Sequence, residues 1–347
     1  MSNDPRTHNQ REAREWVSVL AKYREPNTLR SSYELGVSVI PFVALWAAAC
    51  YMASFSYTAA FFIALLNGGF LLRMFCIQHD CGHGSFFDNR TLSDWVGRVL
   101  GVFTLTPYDV WRRTHSIHHS HAGDLDHRGI GDVMTLTVEE YNARTPLKRF
   151  MYRLYRHPAV MFGLGPSYLF VLQNRLPLGL MSQGRKYWIS AMGTNAAMAF
   201  VVFLIVFFGG WQALVFVTLP TVLLAASVGV WLFYVQHQFE ETHWKNTEDW
   251  KLHEAALEGS SHYDLPVVLR WFTANIGIHH VHHLYSRIPF YRLTDVLRDN
   301  EELVHCGRMT LRQSLRCARL DLWDASKNRL VSFKEAHSLH PSRVLTF

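Results

Sequence analysis

The sequence predicts an all-α membrane protein, with four transmembrane helices in two hairpins and a cytoplasmic helical cap that carries a metal site. Three observations predict it. Gly36–Leu72 contains no Asp, Glu, Lys, Arg or His, and neither does Tyr187–Gln236. The 20 histidines of the 347-residue chain, by contrast, gather largely in tight groups beside those stretches.

Each uncharged stretch is too long for one bilayer crossing, which needs roughly 20 residues. The first divides near Ser54–Tyr57, giving spans at 36–55 and 58–78. The second divides at Gly209, Gly210 and Trp211, giving spans at 188–208 and 213–234. Trp188, Trp211, Trp231 and Tyr234 fall near the ends, where amphipathic rings favour the interface. Neither hairpin turn carries Lys or Arg, so all 34 basic residues can lie on the opposite side. The positive-inside rule then puts both termini, Met74–Lys186 and Glu240–Phe347 in the cytoplasm; in a bacterium this is a multi-pass inner-membrane protein.

Trp95–Tyr108 and Pro158–Leu172 are apolar but too short to span, and read as interfacial or re-entrant helices. Residues 1–34 form a basic cytoplasmic arm, 35–325 the functional domain, and 326–347 a loosely ordered tail. The net charge of +6 is modest, no nucleic-acid motif accompanies it, and basic residues beside a bilayer serve anionic headgroups equally well. Five cysteines without CxxC spacing argue against a disulfide framework or a thiolate metal site. Met1–Arg30 has no apolar h-region, so no cleavable signal peptide is expected.

The histidines carry the chemistry. Three groups recur: His79-Asp-Cys-Gly-His83, His115-Ser-Ile-His118-His119 and His279-His280-Val-His282-His283. On a helix, residues three or four apart share a face, so each group aims two or three imidazoles at a common point; His280 points elsewhere. Imidazole suits iron, copper, nickel and zinc. The first group lies at the cytoplasmic end of the second span, and His237 at that of the fourth, with His243 as its competitor. Eight group members plus His237 exceed what one metal ion uses, and a dinuclear site is the economical reading. Asp80, Asp124 and Asp126 are candidates for orienting imidazole N–H groups, with His121 and His127 near the site. His8, His157, His253, His262, His305, His337 and His340 read as surface residues.

At these residues the chain resembles the integral-membrane fatty acid desaturase family, whose boxes read HxxxH (or HxxxxH), HxxHH and HxxHH. The resemblance covers roughly residues 35–300. His79–Phe87 (HDCGHGSFF) and Asn275–Pro289 look like the acyl-lipid, methyl-end (ω-6 and ω-3) group. It implies two irons held by His79, His83, His115, His118, His119, His237, His279, His282 and His283, with no further catalytic residues. His237 enters through Tyr234-Val-Gln-His-Gln238. Acyl-CoA desaturases carry an Asn one turn before that histidine; here the position is Phe233, which weighs against that subclass. Asn275, one turn before His279, is a candidate for a supporting hydrogen bond.

The activity so implied is introduction of a cis double bond into an acyl chain, lipid-linked in this group, using O2 and two electrons. An unactivated methylene has neither an acidic proton nor a leaving group, so a strongly oxidising metal centre is required and the protein's share is positioning. Trp111, Tyr108 and Phe103 are candidate linings of an acyl tunnel. No GxGxxG loop, cysteine cluster or haem motif is present, so a separate donor, a ferredoxin or cytochrome b5-like protein, must bring the electrons. Arg112, Arg113, Lys148, Arg149 and Arg153 offer a basic face to such a donor or to phospholipid headgroups. The nearest rival is a di-iron hydroxylase or ketolase acting on a lipid, alkane or carotenoid. A metal transporter would need ionisable ligands near the bilayer midplane, and a zinc hydrolase would need HExxH; neither is found.

Overall fold

The structure is a computed structural model that describes residues 15–129 and 131–339. Its first half contains α1 (Glu15–Leu20), α2 (Thr28–Ala53), α3 (Tyr57–His83), α4 (Arg90–Phe103) and α5 (Tyr108–His121). After the short strand β1 (Leu136–Thr137) come α6 (Val138–Asn142), α7 (Pro146–Arg156), α8 (Gly165–Val171), α9 (Arg185–Gln212) and α10 (Leu219–His237). The last hundred residues form α11 (Leu252–Glu258), β2 (His262–Asp264), α12 (Val267–Phe272), α13 (His279–Leu284), α14 (Leu293–Asp299), β3 (Arg308–Thr310), α15 (Leu311–Cys317), β4 (Leu322–Asp324), β5 (Arg329–Val331) and α16 (Phe333–Leu339).

Among the described residues, three helical stretches are long and apolar enough to cross a membrane: Thr28–Ala53, Tyr57–His83 and Arg185–His237. The first two start where side chains satisfy free backbone donors: Asn27 accepts from the Arg30 amide at 2.9 Å and Ser56 from Ala59 at 3.2 Å. Of the most apolar part of α3, 56% is buried, against 17% in each of the other two, so α3 is the central helix and the others turn towards lipid. Phe200, Phe203, Phe207 and Phe208 on α9 are all more than half exposed, an apolar surface that water would not tolerate over this area.

Arg185–His237 cannot be one rod. Its start is tied to the start of α5, through Lys186–Asp109 at 3.1 Å and the Asp109 amide donating to Ser190 Oγ at 3.1 Å. Its end meets the same helix at His118, where the two Nε2 atoms lie 3.1 Å apart. Asp109 and His118 are about 13 Å apart along α5, whereas 53 helical residues would extend about 80 Å. The stretch therefore doubles back, and the break is Gly210, whose φ of 69° and ψ of 175° suit only glycine. A wide π-helical turn, Ala213–Thr218, leads into α10.

Between the arms lie the two segments expected at the interface. The first becomes α4, which starts earlier than expected because Asn89 caps it by accepting from Leu92 at 3.0 Å. The second is helical from Val160 to Val171, beginning with a π-turn. One further interfacial element escaped the sequence reading. Helix α7 exposes Leu147, Phe150, Met151 and Leu154, a stripe at i, i+3, i+4 and i+7, while its polar side faces the protein. There Tyr152 donates to the Asp321 carbonyl at 2.7 Å, and the buried Arg156 donates to Tyr234 Oη at 2.9 Å.

The all-α expectation needs correction. Among the described residues, five short strands form a three-stranded sheet in the order β1-β4-β5 and a parallel pair of β2 with β3. The tail is likewise ordered past Ser326, as β5 and α16, because Trp323, Leu330 and Val331 are buried there; Trp323 stacks on Trp244 at 5.7 Å. Residues 1–14 of the expected arm and 340–347 lie outside the described residues; the rest of the arm is helical apart from residues 24–27.

A buried ion pair locks α2 to α3. The Arg73 guanidinium bonds Glu34, and both side chains are almost wholly enclosed. Arg73 also donates to Ser38 Oγ at 3.1 Å and to the Trp271 carbonyl in α12. Removing one partner strands the other charge, which typically costs about 3–5 kcal/mol. Glu34→Ala is therefore expected to lower the melting temperature of the detergent-purified protein strongly. The double change Glu34→Leu with Arg73→Met should recover most of it, and a Glu34→Ala melt at the wild-type temperature would refute the pair's role.

Candidate metal centre

Four helices deliver the nine histidines. His79 and His83 close α3, which ends there because Gly84 takes a left-handed conformation, φ 70°. His115, His118 and His119 occupy the last two turns of α5, and His237 is the final residue of α10. Helix α13 is only six residues long and is fixed by its neighbours. Ala274 and Asn275 turn the chain with positive φ, and the amides of His279 and His280 both point at the Ser261 carbonyl, at 3.1 and 3.3 Å.

These elements bring the nine together in two groups. The ring nitrogens of His79, His83, His115, His119 and His282 lie within 4.8 Å of one another, as do those of His118, His237, His279 and His283. Within the first, His119 Nε2 is 3.1 Å from both His115 Nε2 and His282 Nε2. Within the second, His237 Nε2 is 3.1 Å from both His118 Nε2 and His279 Nε2. A neutral ring nitrogen carries one proton or one lone pair, so it satisfies one such neighbour and not two. Hydrogen bonding therefore does not account for either triplet, whereas a shared cation would. Ligands about 2.1 Å from a metal stand about 3.0–3.4 Å apart, so the 3.1 Å separations fit nitrogens that could share one cation. The buried His79 Nε2, His83 Nε2 and His283 Nε2 have no hydrogen-bond partner, as expected of nitrogens kept for a metal.

The electrostatics agree with metal binding. Burial, reinforced by neighbouring imidazoles, holds His115, His119, His279, His282 and His283 well below the usual imidazole range. They are neutral at physiological pH, the form that binds metal.

Of the expected orienting carboxylates, Asp80 sits near the site: Oδ1 is 3.3 Å from His79 Nδ1 and Oδ2 accepts from the Phe290 amide at 2.7 Å. Asp124 and Asp126 serve other groups. Asp124 takes His127 Nδ1 at 2.8 Å and the Thr247 hydroxyl, and Asp126 takes the Thr247 amide. His121 bonds the Ile117 carbonyl within its own helix. The carboxylate that reaches a grouped imidazole at short range is Asp132, 2.5 Å from His118 Nδ1. Sequence reasoning missed it, because fourteen residues and an irregular loop separate the two. Asn275 donates to the Phe290 carbonyl at 3.1 Å and not to a histidine. His243 is exposed and outside both groups. His280 and His262, by contrast, are buried, bonding the carbonyls of Leu303 at 2.9 Å and Val304 at 2.7 Å.

Trp111 stacks on His115 at 4.6 Å, and Phe75 meets it edge-on at 5.6 Å and Phe170 at 6.3 Å, forming an aromatic wall beside the five-histidine group. Tyr108 instead anchors α5 on α4, donating to Asp94 at 2.8 Å, and Phe103 meets Phe42 edge-on. A small cavity borders the four-histidine group, lined by Asp132, Phe233, His237, Gln238 and Arg128 among others. The basic face is thinner than expected, since Arg149 is buried and Arg112 pairs with Asp94 at 3.2 Å.

Comparison with known proteins agrees with this geometry. The profile of the fatty acid desaturase family matches residues 56–313. A Bacillus subtilis protein named fatty acid desaturase is 39% identical over 334 residues, covering 96% of this chain and 94% of its own. A Synechocystis sn-1 acyl-lipid omega-3 desaturase (ferredoxin) is 28% identical, covering 78% of this chain and 74% of its own. A Synechocystis sn-1 oleoyl-lipid 12-desaturase is 29% identical, covering 65% and 64%.

The depressed imidazoles make stability pH-dependent. An unfolded histidine takes up a proton near pH 6.5, whereas these five resist it when folded. The native state then binds fewer protons, so this contribution is complete above about pH 6.5 and is lost progressively as the pH falls below it. The melting temperature of metal-free protein is expected to drop steadily from pH 7 to pH 5. A flat profile would contradict the enclosed, neutral cluster.

Proposed function

We propose, for a chain that belongs to the fatty acid desaturase family, that it is a di-iron enzyme acting on lipid-linked acyl chains. The chain is a membrane oxidoreductase that desaturates fatty acyl chains, and it needs an electron donor. The observation that carries the finer reading is the sorting of nine imidazoles into groups of five and four.

In this reading His79, His83, His115, His119 and His282 hold one iron, and His118, His237, His279 and His283 hold the other. Two irons, when bound, supply the oxidising power to remove hydrogen from two adjacent methylenes with O2. The balance is one O2, two electrons and two protons consumed, with one C=C formed and two waters released. The chain's own residues do the rest. The wall of Trp111, Phe75 and Phe170 keeps the approach to the five-histidine group apolar, excludes water and orients the acyl chain. The Gly259 carbonyl, 3.3 Å from His237 Nδ1, holds that ring's proton on the far side from the group.

The doubling back at Gly210 supports four crossings. With both hairpin turns free of Lys and Arg, the positive-inside rule supports a cytoplasmic site and cytoplasmic termini. The relatives' names support a lipid-linked substrate, and one of those names specifies ferredoxin. The absence of redox motifs in this sequence makes a separate ferredoxin or cytochrome b5-like carrier the donor. Arg113, Lys148 and Arg153 remain exposed for it or for lipid headgroups.

Expression in a host lacking polyunsaturated lipids, followed by gas chromatography with double-bond localisation, tests the reaction. A new unsaturated species is expected; gain of oxygen without loss of two hydrogens would favour the hydroxylase reading. His118→Ala and His282→Ala should each abolish the product and each remove about one iron per chain. Retention of both irons in either variant would overturn the ligand assignment.

A further inference from the structure

We propose that Asp132 is a positioning residue that fixes His118 and thereby secures the metal of the four-histidine group. The inference rests on the dinuclear reading above and goes beyond it by assigning one group its own carboxylate support.

The two nitrogens of His118 face opposite ways. Nε2 lies 3.1 Å from His237 Nε2, inside the group, while Nδ1 lies 2.5 Å from Asp132 Oδ1. For Nε2 to offer a lone pair, the ring's proton must sit on Nδ1, and the carboxylate accepts it there. That contact selects the tautomer and fixes the ring plane. The His118 side chain is fully enclosed and that of Asp132 is 18% exposed, so water competes little for the bond.

The chain is built to make this contact. Gly131 has φ 73°, and a Cβ on it would come within 2.9 Å of the Thr114 carbonyl oxygen and 3.2 Å of His118 Cβ. The backbone before Asp132 therefore lies directly on α5 at His118, closer than any side chain permits. Arg128 ties the loop's two sides together: it donates to the Leu125 and Thr135 carbonyls, each at 2.5 Å, and pairs with Glu140 at 2.6 Å.

The two groups are not supported alike. In the five-histidine group the nearby carboxylate is Asp80, at a longer 3.3 Å from His79 and shared with the Phe290 amide. The four-histidine group has one imidazole fewer, and the cavity against it is bordered by Asp132 and His237. A metal there would have fewer imidazole donors and would border that cavity, so it would depend more on each ligand's orientation.

The test is iron stoichiometry, with Mössbauer spectra of 57Fe-enriched protein, for wild type, Asp132→Ala, Asp132→Asn and Asp132→Glu. Asp126→Asn, in the same loop but bonded to Thr247, is the control. Wild type and the control should hold two irons. Asp132→Ala should hold about one, with one iron's spectral component lost and affinity at that site lowered about 10–100-fold. Asp132→Asn, nearly isosteric, should be weakened less, and Asp132→Glu should recover part of the loss. Two irons with unchanged spectra in Asp132→Ala and Asp132→Asn would overturn the proposal alone. Fewer than two in wild type would overturn the dinuclear reading and this inference together. Loss of both irons in the well-folded Asp132→Asn would overturn the assignment to a single group.

Discussion

The structure depends on one constraint: nine imidazoles crowd their ring nitrogens into two small regions. Neutral rings crowded nitrogen to nitrogen gain little from one another, as the paired 3.1 Å contacts of His119 and His237 illustrate. The arrangement persists because the surrounding backbone leaves the rings nowhere else to go. Glycine ends α3 immediately after His83, and Ser261 holds the first turn of α13. At His115, His119, His279, His282 and His283 burial makes protonation, which would drive the rings apart, unfavourable.

The membrane architecture serves that constraint. Helix α3 runs from the far side of the apolar layer to the site, and α10 ends at the same level with His237. The remaining grouped histidines come from α5 and α13, which cap the helix ends. The Glu34–Arg73 pair and the Arg73 bond to the Trp271 carbonyl connect the spanning helices to the segment that leads into α13. Packing inside the apolar layer and ligand placement outside it are thus mechanically continuous. The reversed polarity of α7 adds a second tie, with polar residues gripping the C-terminal sheet and apolar ones facing outward.

Much of this was legible in the sequence, for identifiable reasons. The hairpin turns at Ser54–Ser56 and Gly210 interrupt otherwise uncharged runs, and the histidine spacing carries helical periodicity directly. Helix α2 begins at Thr28, ahead of the expected span, and contains Glu34, which is paired with Arg73 within the fold. The strands were invisible at two or three residues each, too short for an alternating pattern to register. His262 looked like a surface residue because its partner, the Val304 carbonyl, is a backbone group 42 positions away. Asp132 was hidden for a related reason: its importance follows from a glycine's backbone angle, which composition does not encode.

Helix α13 belongs to both histidine groups, giving His282 to one and His279 with His283 to the other. During synthesis, a ribosome that stalls before it has made only four members of the first group and two of the second. Both groups are therefore completed by the same six-residue helix, some two hundred residues after His79.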